Sequence, residues 1–390
     1  METTSLHGCG WPEPIVPVQI LSNSGMRSVP PQYIKPPSER PTGSIITSTN
    51  DPNFSIPIID LAGDVDIPKH RQIVVEAIGD ACKNWGFFQV VNHGVDIDVV
   101  KRMRGAWREF FDLPLDEKKI YANSPVTYEG YGSRLGVEKG AILDWSDYYF
   151  LNLLPSDMKN LEKWPKMPSN LREVTEKYTR ELMNLSEVLL KGMSSSLGLE
   201  EDYLHIAFGG SEGMSACMRV NYYPKCPEPD LTLGLSPHSD PGGITLLLVD
   251  DNVKGTQVRK GNTWVTVHPI PGAFVVNVGD QIQILSNGEY RSVEHRALAN
   301  SGDDRLTVAF FCNPRGDLPI APAAQLVNSE SPAVYGQPAI TFNEYRKYVR
   351  TKGASGRAQV EALSLSISSS SMPASSCRMK TIDEHAAADE

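Results

Sequence analysis

The apolar residues change their period once along this chain, and the change divides it in two. In the first half they recur at helical spacing. Ile73, Val74, Ala77, Ile78 and Ala81, with Cys82, share one face and stop at Gly86. Val99, Val100, Met103, Trp107, Phe110 and Phe111 repeat the pattern and stop at Pro114. A longer helix is predicted from about Asn170 to Leu197, with Val174, Tyr178, Leu182, Leu185, Val188 and Leu189 along one side. Between the first two helices, Phe87-Phe-Gln-Val-Val91 reads as a buried strand ending in the turn Asn92-His-Gly94. Ile56-Pro-Ile-Ile-Asp60 is a shorter strand signal upstream.

From about Ala216 the period drops to two, and Gly, Pro and Asn recur as punctuation. Strands are predicted over 216–223, 244–249, 255–260, 263–267, 273–278, 292–298 and 305–313. Such spacing indicates an antiparallel sandwich or barrel. A last helix near Phe342–Arg350 closes it. The first 53 residues are rich in Pro, Ser and Asn, and only Ile15–Leu21 looks able to pack. Beyond Gly353 the chain becomes Ser/Ala-rich and acidic, with too little apolar surface to order itself. The expected organisation is therefore a partly disordered extension over 1–53 and a mainly helical region over 54–205 packed on the core. The β core with its closing helix spans 206–352, and a disordered tail covers 353–390.

Composition narrows the possibilities. With 390 residues, 40% hydrophobic and 22% charged, the chain can bury a large core without disulfides or structural metal. Its richest apolar run, Ile244–Val249, is far short of the ~18 residues a membrane helix needs. Lys+Arg 37 against Asp+Glu 47 gives a net charge of −10, and Asp383, Glu384, Asp389 and Glu390 crowd four of the acids into the end. No basic stripe is present to neutralise phosphates, so no nucleic-acid partner is expected. Six cysteines lack C-x-x-C spacing and the start lacks a secretory pattern, which points to a reducing compartment. A monomer in the cytoplasm, with access to the nucleus, is the expectation.

Chemistry enters through the histidines, eight in all. His7 and His385 lie near the ends, His70 starts a helix, His205 and His268 read as surface or loop residues, and His93 as a turn residue. His238 and His295 remain. In His238-Ser-Asp240 the ligand-type side chains are two apart, so an extended backbone turns both the same way. A carboxylate inside a β core needs compensation, and a divalent metal supplies it. His295, in Arg291-Ser-Val-Glu-His-Arg296, would complete a two-His, one-carboxylate facial triad, which leaves three positions of iron(II) open. Arg305-Leu-Thr307 also points two side chains one way, and a guanidinium fork with a hydroxyl suits one end of a dicarboxylate. Asn221-Tyr-Tyr223 repeats the arrangement. The plain alternative is that Arg305 pairs with an acid and Tyr223 fills the core. Singly that reading is the simpler one; for all these residues in one β half it is not.

Those residues, with Ile56–Leu61, Trp85–Gly94 and Asn221-Tyr-Tyr-Pro224, resemble the plant 2-oxoglutarate- and iron(II)-dependent dioxygenases over about 11–352. The resemblance implies a mixed α and β fold, a double-stranded β-helix (jelly-roll) core flanked by N-terminal helices and a C-terminal helix. It implies Fe(II) on His238, Asp240 and His295, with O2 as co-reactant and ascorbate in support. It also implies 2-oxoglutarate held at its distal carboxylate by Arg305 and Thr307, assisted by Asn221 and Tyr223. Thr307 stands where many relatives have serine, and the hydroxyl survives.

Within that family, Ser124–Phe150, Trp11–Ile15 and Arg219–Pro227 are similar to the jasmonate-induced oxygenases. The implied reaction is hydroxylation of jasmonic acid to 12-hydroxyjasmonic acid with release of succinate and CO2, which lowers active jasmonate and damps its signalling. A small carboxylate with an apolar tail needs a cation and an apolar slot. Arg219 should share a face with Asn221 and Tyr223, and Arg346 and Arg350 lie one helical turn apart. Phe311 and Phe150 could wall the tail. The rival for the arginine pair is a solvated helix face. The rivals for the function are a flavonoid-modifying or other hormone-oxidising dioxygenase, a non-catalytic jelly-roll binder, and a zinc hydrolase.

Overall fold

A computed structural model describes residues 11, 13–41, 45–46, 55–63, 68–134, 136, 138–336, 339–352 and 356–364. The strands, in chain order, are β1 (Ile45–Ile46), β2 (Ile58–Asp60), β3 (Phe87–Val91), β4 (Gly130–Gly132) and β5 (Asp147–Leu154). After the long helix come β6 (Ser215–Tyr223), β7 (Leu235–His238), β8 (Ile244–Leu248), β9 (Thr256–Lys260) and β10 (Thr263–Thr266). The last of the core are β11 (Phe274–Val278), β12 (His295–Ala297) and β13 (Arg305–Asn313). Eight of them form one sheet in the order β2-β3-β11-β8-β13-β6-β5-β4, and five form a second, β1-β10-β9-β12-β7. Ile56, Phe87 and Val275 from the larger sheet's side meet Val258 and Val265 of the smaller in a buried cluster. The two sheets make the jelly-roll.

Alternation sorts the larger sheet. On β6, Met218, Val220 and Tyr222 are buried in the main hydrophobic cluster, and so are Leu306, Val308, Phe310 and Cys312 on β13. Two helices cover that face. Ile97–Asp112 contributes Val99, Met103, Trp107 and Phe110, and Leu171–Ser196 contributes Val174, Tyr178, Leu182 and Leu189. The intervening residues of β6 and β13 point the other way and line a cavity between the sheets.

The helices fall where the apolar period places them: Pro68–Asn84, Ile97–Asp112, Leu171–Ser196 and Phe342–Lys352. Two details differ. Val188 is exposed, because it sits about 100° around the helix from Leu189, outside the buried stripe. Ile73 is exposed as well. The predicted strand 292–298 contracts to His295–Ala297. Strands β1, β4, β5 and β7 were not expected. In Asp147–Leu154 the apolar residues run together, broken only by Asn152, rather than alternating, and Pro237 masks β7. The mainly helical region thus supplies β2 to β5 to the larger sheet.

Both chain ends depart from expectation in the same direction. Val18, Val29 and Tyr33 pack with Trp145 and Cys226. The carboxylate of Asp147 accepts from Val18 N (2.7 Å), Gln19 N (2.9 Å) and Ser133 Oγ (2.5 Å), which pins the extension to β5. At the other end, the expected boundary at 352 is too early. Residues 356–364 carry a helix, Ala358–Glu361, with Val360 buried in the main cluster. Their few apolar residues make no local signal; the core they land on supplies the burial. The rest of the tail, 365–390, lies outside the described residues. No helix among the described residues is long and apolar enough to cross a membrane.

Replacing Asp147 with Ala leaves three donors without their acceptor, and each buried unpaired group costs about 1–3 kcal/mol. Urea denaturation should show a loss of roughly 3 kcal/mol or more. Chain cleavage near residue 18 by a dilute protease should accelerate with it. A stability within error of the parent would mean that water replaces the carboxylate.

Candidate active site

His238 ends β7 and His295 begins β12, and the two residues face each other in the antiparallel pair. Their rings lie 4.2 Å apart. Asp240, two residues on, brings Oδ1 to 3.6 Å from His238 Nε2 and 3.7 Å from His295 Nε2. The other ring nitrogens are occupied: His238 Nδ1 bonds to Ser236 O at 2.8 Å and His295 Nδ1 to Val293 O at 3.2 Å. A ring that donates from Nδ1 to a carbonyl presents an Nε2 lone pair, the form that binds metal. Burial, then the neighbouring His295, drops the His238 pKa to about 4, which keeps that ring neutral. Burial alone would raise Asp240, but His295, His238, Thr245 and Asn277 outweigh it and hold the carboxyl below its ordinary value. Thr245 Oγ1 (2.6 Å) and Asn277 Nδ2 (2.7 Å) both donate to Oδ2, so Oδ1 is the oxygen turned to the histidines. Two nitrogens and one oxygen on one side make a donor set that fits Fe(II) with open positions opposite.

Next to the triad, the register of β6 against β13 builds a ladder of pairs that face the cavity: Arg305 opposite Tyr223, Thr307 opposite Asn221, Ala309 opposite Arg219, and Phe311 opposite Cys217. Arg305 is buried, its guanidinium 4.0 Å above the Tyr223 ring, and its Nη2 has no hydrogen-bond partner. The nearby acid does not serve it, because Asp250 pairs with Arg108 at 2.6 Å. A buried cation with an orphaned donor, beside a hydroxyl and an amide, fits the carboxylate of a bound cosubstrate.

One step along the ladder, Arg219 Nε donates to Asn221 Oδ1 at 2.7 Å and the guanidinium lies 4.1 Å over the Tyr148 ring. Arg350 rests 5.7 Å from the Tyr128 ring and 5.8 Å from Phe150, and Arg346 5.6 Å from Phe342. Among the described residues none of these three arginines pairs with a carboxylate. Burial lowers the pKa of Arg219 and of Arg350, the latter further through Arg346. All twelve residues singled out from the sequence line one cavity of about 250 Å³: His238, Asp240, His295, Arg305, Thr307, Asn221, Tyr223, Arg219, Arg346, Arg350, Phe311 and Phe150.

Comparison with known proteins agrees with this geometry. The model of the 2OG-Fe(II) oxygenase superfamily matches residues 214–314, and that of the non-haem dioxygenase in morphine synthesis N-terminal region matches 56–170. Jasmonate-induced oxygenase 2 of Arabidopsis thaliana is 55% identical, over 90% of this chain and 94% of its own. The crystal structure of JOX2 in complex with 2OG, Fe and JA (jasmonic acid) is 54% identical with a TM-score of 0.83, over 91% of this chain and 99% of that one. Flavanone 3-dioxygenase 2 of Oryza sativa subsp. japonica is 41% identical, over 84% and 92%. The chain belongs to the 2OG-Fe(II) oxygenase superfamily.

This oxygenase uses Fe(II) and 2-oxoglutarate. Several residues of its cavity escaped the sequence reading. Tyr148 had a findable signal, since it alternates with Phe150 on β5. Its hydroxyl is fixed by Asn123 Nδ2 (2.6 Å) and Arg134 O (3.0 Å), which holds the ring flat under Arg219. Tyr128 carried no signal; it sits in an irregular loop at φ +60°. Thr245 and Asn277 looked like ordinary strand residues until the fold set them against Asp240. His93 is the turn residue expected, its Nε2 2.8 Å from Gly272 O. His205 corrects the reading, being buried on the short helix Tyr203–Ala207.

Thr245→Val and Asn277→Ala each remove one anchor from Asp240 Oδ2. Partners of metal ligands are typically worth about 10–100-fold in metal affinity. Anaerobic titration of the apoprotein with Fe(II) or Co(II) should show that loss in both variants. Parent-like affinity in both would mean that Asp240 keeps its orientation without them.

Proposed function

We propose that this oxygenase hydroxylates jasmonic acid, using 2-oxoglutarate and O2 and releasing succinate and CO2. One observation carries the reading. Three arginines that have no acidic partner among the described residues line the same cavity as the triad and Arg305. A half-buried guanidinium without a counter-charge is costly, so the cavity is built for an anion in addition to the cosubstrate. The 54%-identical structure that holds 2OG, Fe and JA supports the same choice.

Each residue then has a task. His238, Asp240 and His295 hold Fe(II). Arg305 and Thr307, with Asn221 and Tyr223, hold the far carboxylate of 2-oxoglutarate and so orient its keto acid end toward the triad. Fe(II) with 2-oxoglutarate supplies O2 activation, oxidative decarboxylation and transfer of one oxygen atom to a C–H bond. Arg219, Arg346 and Arg350 receive the substrate carboxylate, while Phe150 and Phe311 direct the apolar tail and displace water from the reacting carbon. Hydroxylation at carbon 12 would lower active jasmonate and damp its signalling. We place the enzyme in the cytoplasm, with access to the nucleus, as a monomer acting on a small carboxylate.

The rice flavanone 3-dioxygenase at 41% identity marks the second reading, an uncharged polyphenol. Such a substrate would leave the three guanidiniums without a charge to meet, which favours the carboxylate.

Arg305→Ala removes a charge-assisted contact worth about 1.5–3 kcal/mol, so the KM for 2-oxoglutarate should rise roughly 10- to 150-fold. The KM for the prime substrate should move far less. Superimposable 2-oxoglutarate titrations of variant and parent would reassign Arg305.

Free acid against methyl ester tests the substrate. The parent should turn over jasmonic acid well and its methyl ester poorly, and Arg350→Ala should weaken acid binding by ~2–5 kcal/mol if the site is dry. Decarboxylation of 2-oxoglutarate without substrate should survive in that variant. Equal turnover of acid and ester by the parent would remove the carboxylate reading.

A further inference from the structure

β7 ends the smaller sheet, with β12 as its strand neighbour, so its outer edge would present unpaired backbone groups beside the first metal ligand. Gly356 covers that edge. Its N–H donates to Pro237 O at 3.1 Å and its C=O accepts from Ser239 N at 3.1 Å, so a parallel bridge brackets His238 on both sides. The position favours glycine: φ is +61°, and an added Cβ would come 2.7 Å from Glu294 Oε1, the movable end of a side chain. The next residues anchor it. Val360 is fully buried, and Arg357 Nη2 donates to Gln283 Oε1 at 3.1 Å. That same oxygen accepts from Ser292 N at 2.7 Å, on the approach to His295. Gly356 and Gln359 both line the cavity. Tyr335 and Ser364 form a second bridge that holds the segment's far end.

We propose that Gly356 is a positioning residue for the iron centre. Through it, residues 356–364 clamp the edge of β7 and keep His238 in register with Asp240 and His295. The clamp acts on the backbone of the ligand strand, so it operates before metal arrives. It does not depend on the identity of the prime substrate.

Full-length Gly356→Val, Gly356→Asn and Val360→Ala, all as apoprotein, test the clamp by two readouts. The first is amide exchange of Ser239, whose N–H is bonded to Gly356, against Val220 in mid-β6 as an internal reference. The second is Co(II) affinity by its visible spectrum. Valine resists positive φ whereas asparagine tolerates it, so Gly356→Asn should stay near the parent. Gly356→Val should speed exchange at Ser239 and not at Val220, and weaken Co(II) binding by about tenfold or more. Val360→Ala, which loosens the anchor without touching the bridge, should move both readouts the same way and keeps the test alive if Gly356→Val does not fold. Parent-like Ser239 exchange and Co(II) affinity in the folded variants would overturn the proposal. So would equal acceleration at Ser239 and Val220, which would mark the segment as a general stabiliser.

Discussion

The register between β6 and β13 is the constraint on which the rest depends. Nine residue pairs match across it, from Arg305 with Tyr223 to Asn313 with Ser215. Because side chains alternate, that single alignment decides two things together. One set of positions, Met218, Val220, Leu306, Val308 and Phe310, goes to the helices; the other, Arg219, Asn221, Tyr223, Arg305 and Thr307, goes to the cavity. A slip of one residue would bury the arginines under the helices and turn the aliphatic residues into the site. Folding and function are therefore selected by the same apolar face. The helices over it act on the site by making any other register costly.

The cavity carries an electrostatic debt in the free protein. Arg305, buried, and Arg219, half-buried, are held against aromatic rings rather than against carboxylates. A ring face attracts a cation but leaves its outward N–H groups unsatisfied, as the orphaned Arg305 Nη2 shows. The arrangement keeps each guanidinium in place without neutralising it, so a carboxylate ligand meets a full charge already oriented. Ligands that bind only the folded state also raise its stability by mass action, which makes the loaded enzyme the more stable form.

How far the sequence carried this reading depends on where each residue's partner lies. Arg305 with Thr307 and Asn221 with Tyr223 were legible because each pair is two apart on one strand and so shares a face, and His238 with Asp240 by the same spacing, although the strand ends at His238. The long helices were legible for the same local reason. Thr245 and Asn277 were not, since their role exists only once β8 and β11 lie beside the turn at Asp240. Strand β7 was hidden by Pro237 and its four-residue length. Gly356 and Val360 were hidden by their surroundings, because a short apolar segment in a Ser/Ala-rich stretch orders only against a core it meets in space. Arg346 and Arg350 were legible as a pair, but the choice between pocket and solvated face required the rings of Tyr128 and Phe150 beneath Arg350.

The triad and the proposed substrate contacts come from different elements, which lets such a fold change substrate without changing chemistry. His238 and His295 come from paired strands of the smaller sheet, whereas Arg219, Phe150 and Phe311 come from the larger one and Arg346 and Arg350 from the closing helix. Asp240 joins the two, since it follows β7 yet is oriented by Thr245 and Asn277 on β8 and β11. Substituting at Phe150 or Arg350 alters the lining of the cavity while leaving every hydrogen bond of the triad in place. Substituting at Thr245 or Asn277 does the reverse. A relative at 41% identity named for a flavanone substrate is what this separation permits. The arginines proposed to receive the substrate carboxylate thus sit on elements that can change without disturbing the hydrogen bonds that orient the triad.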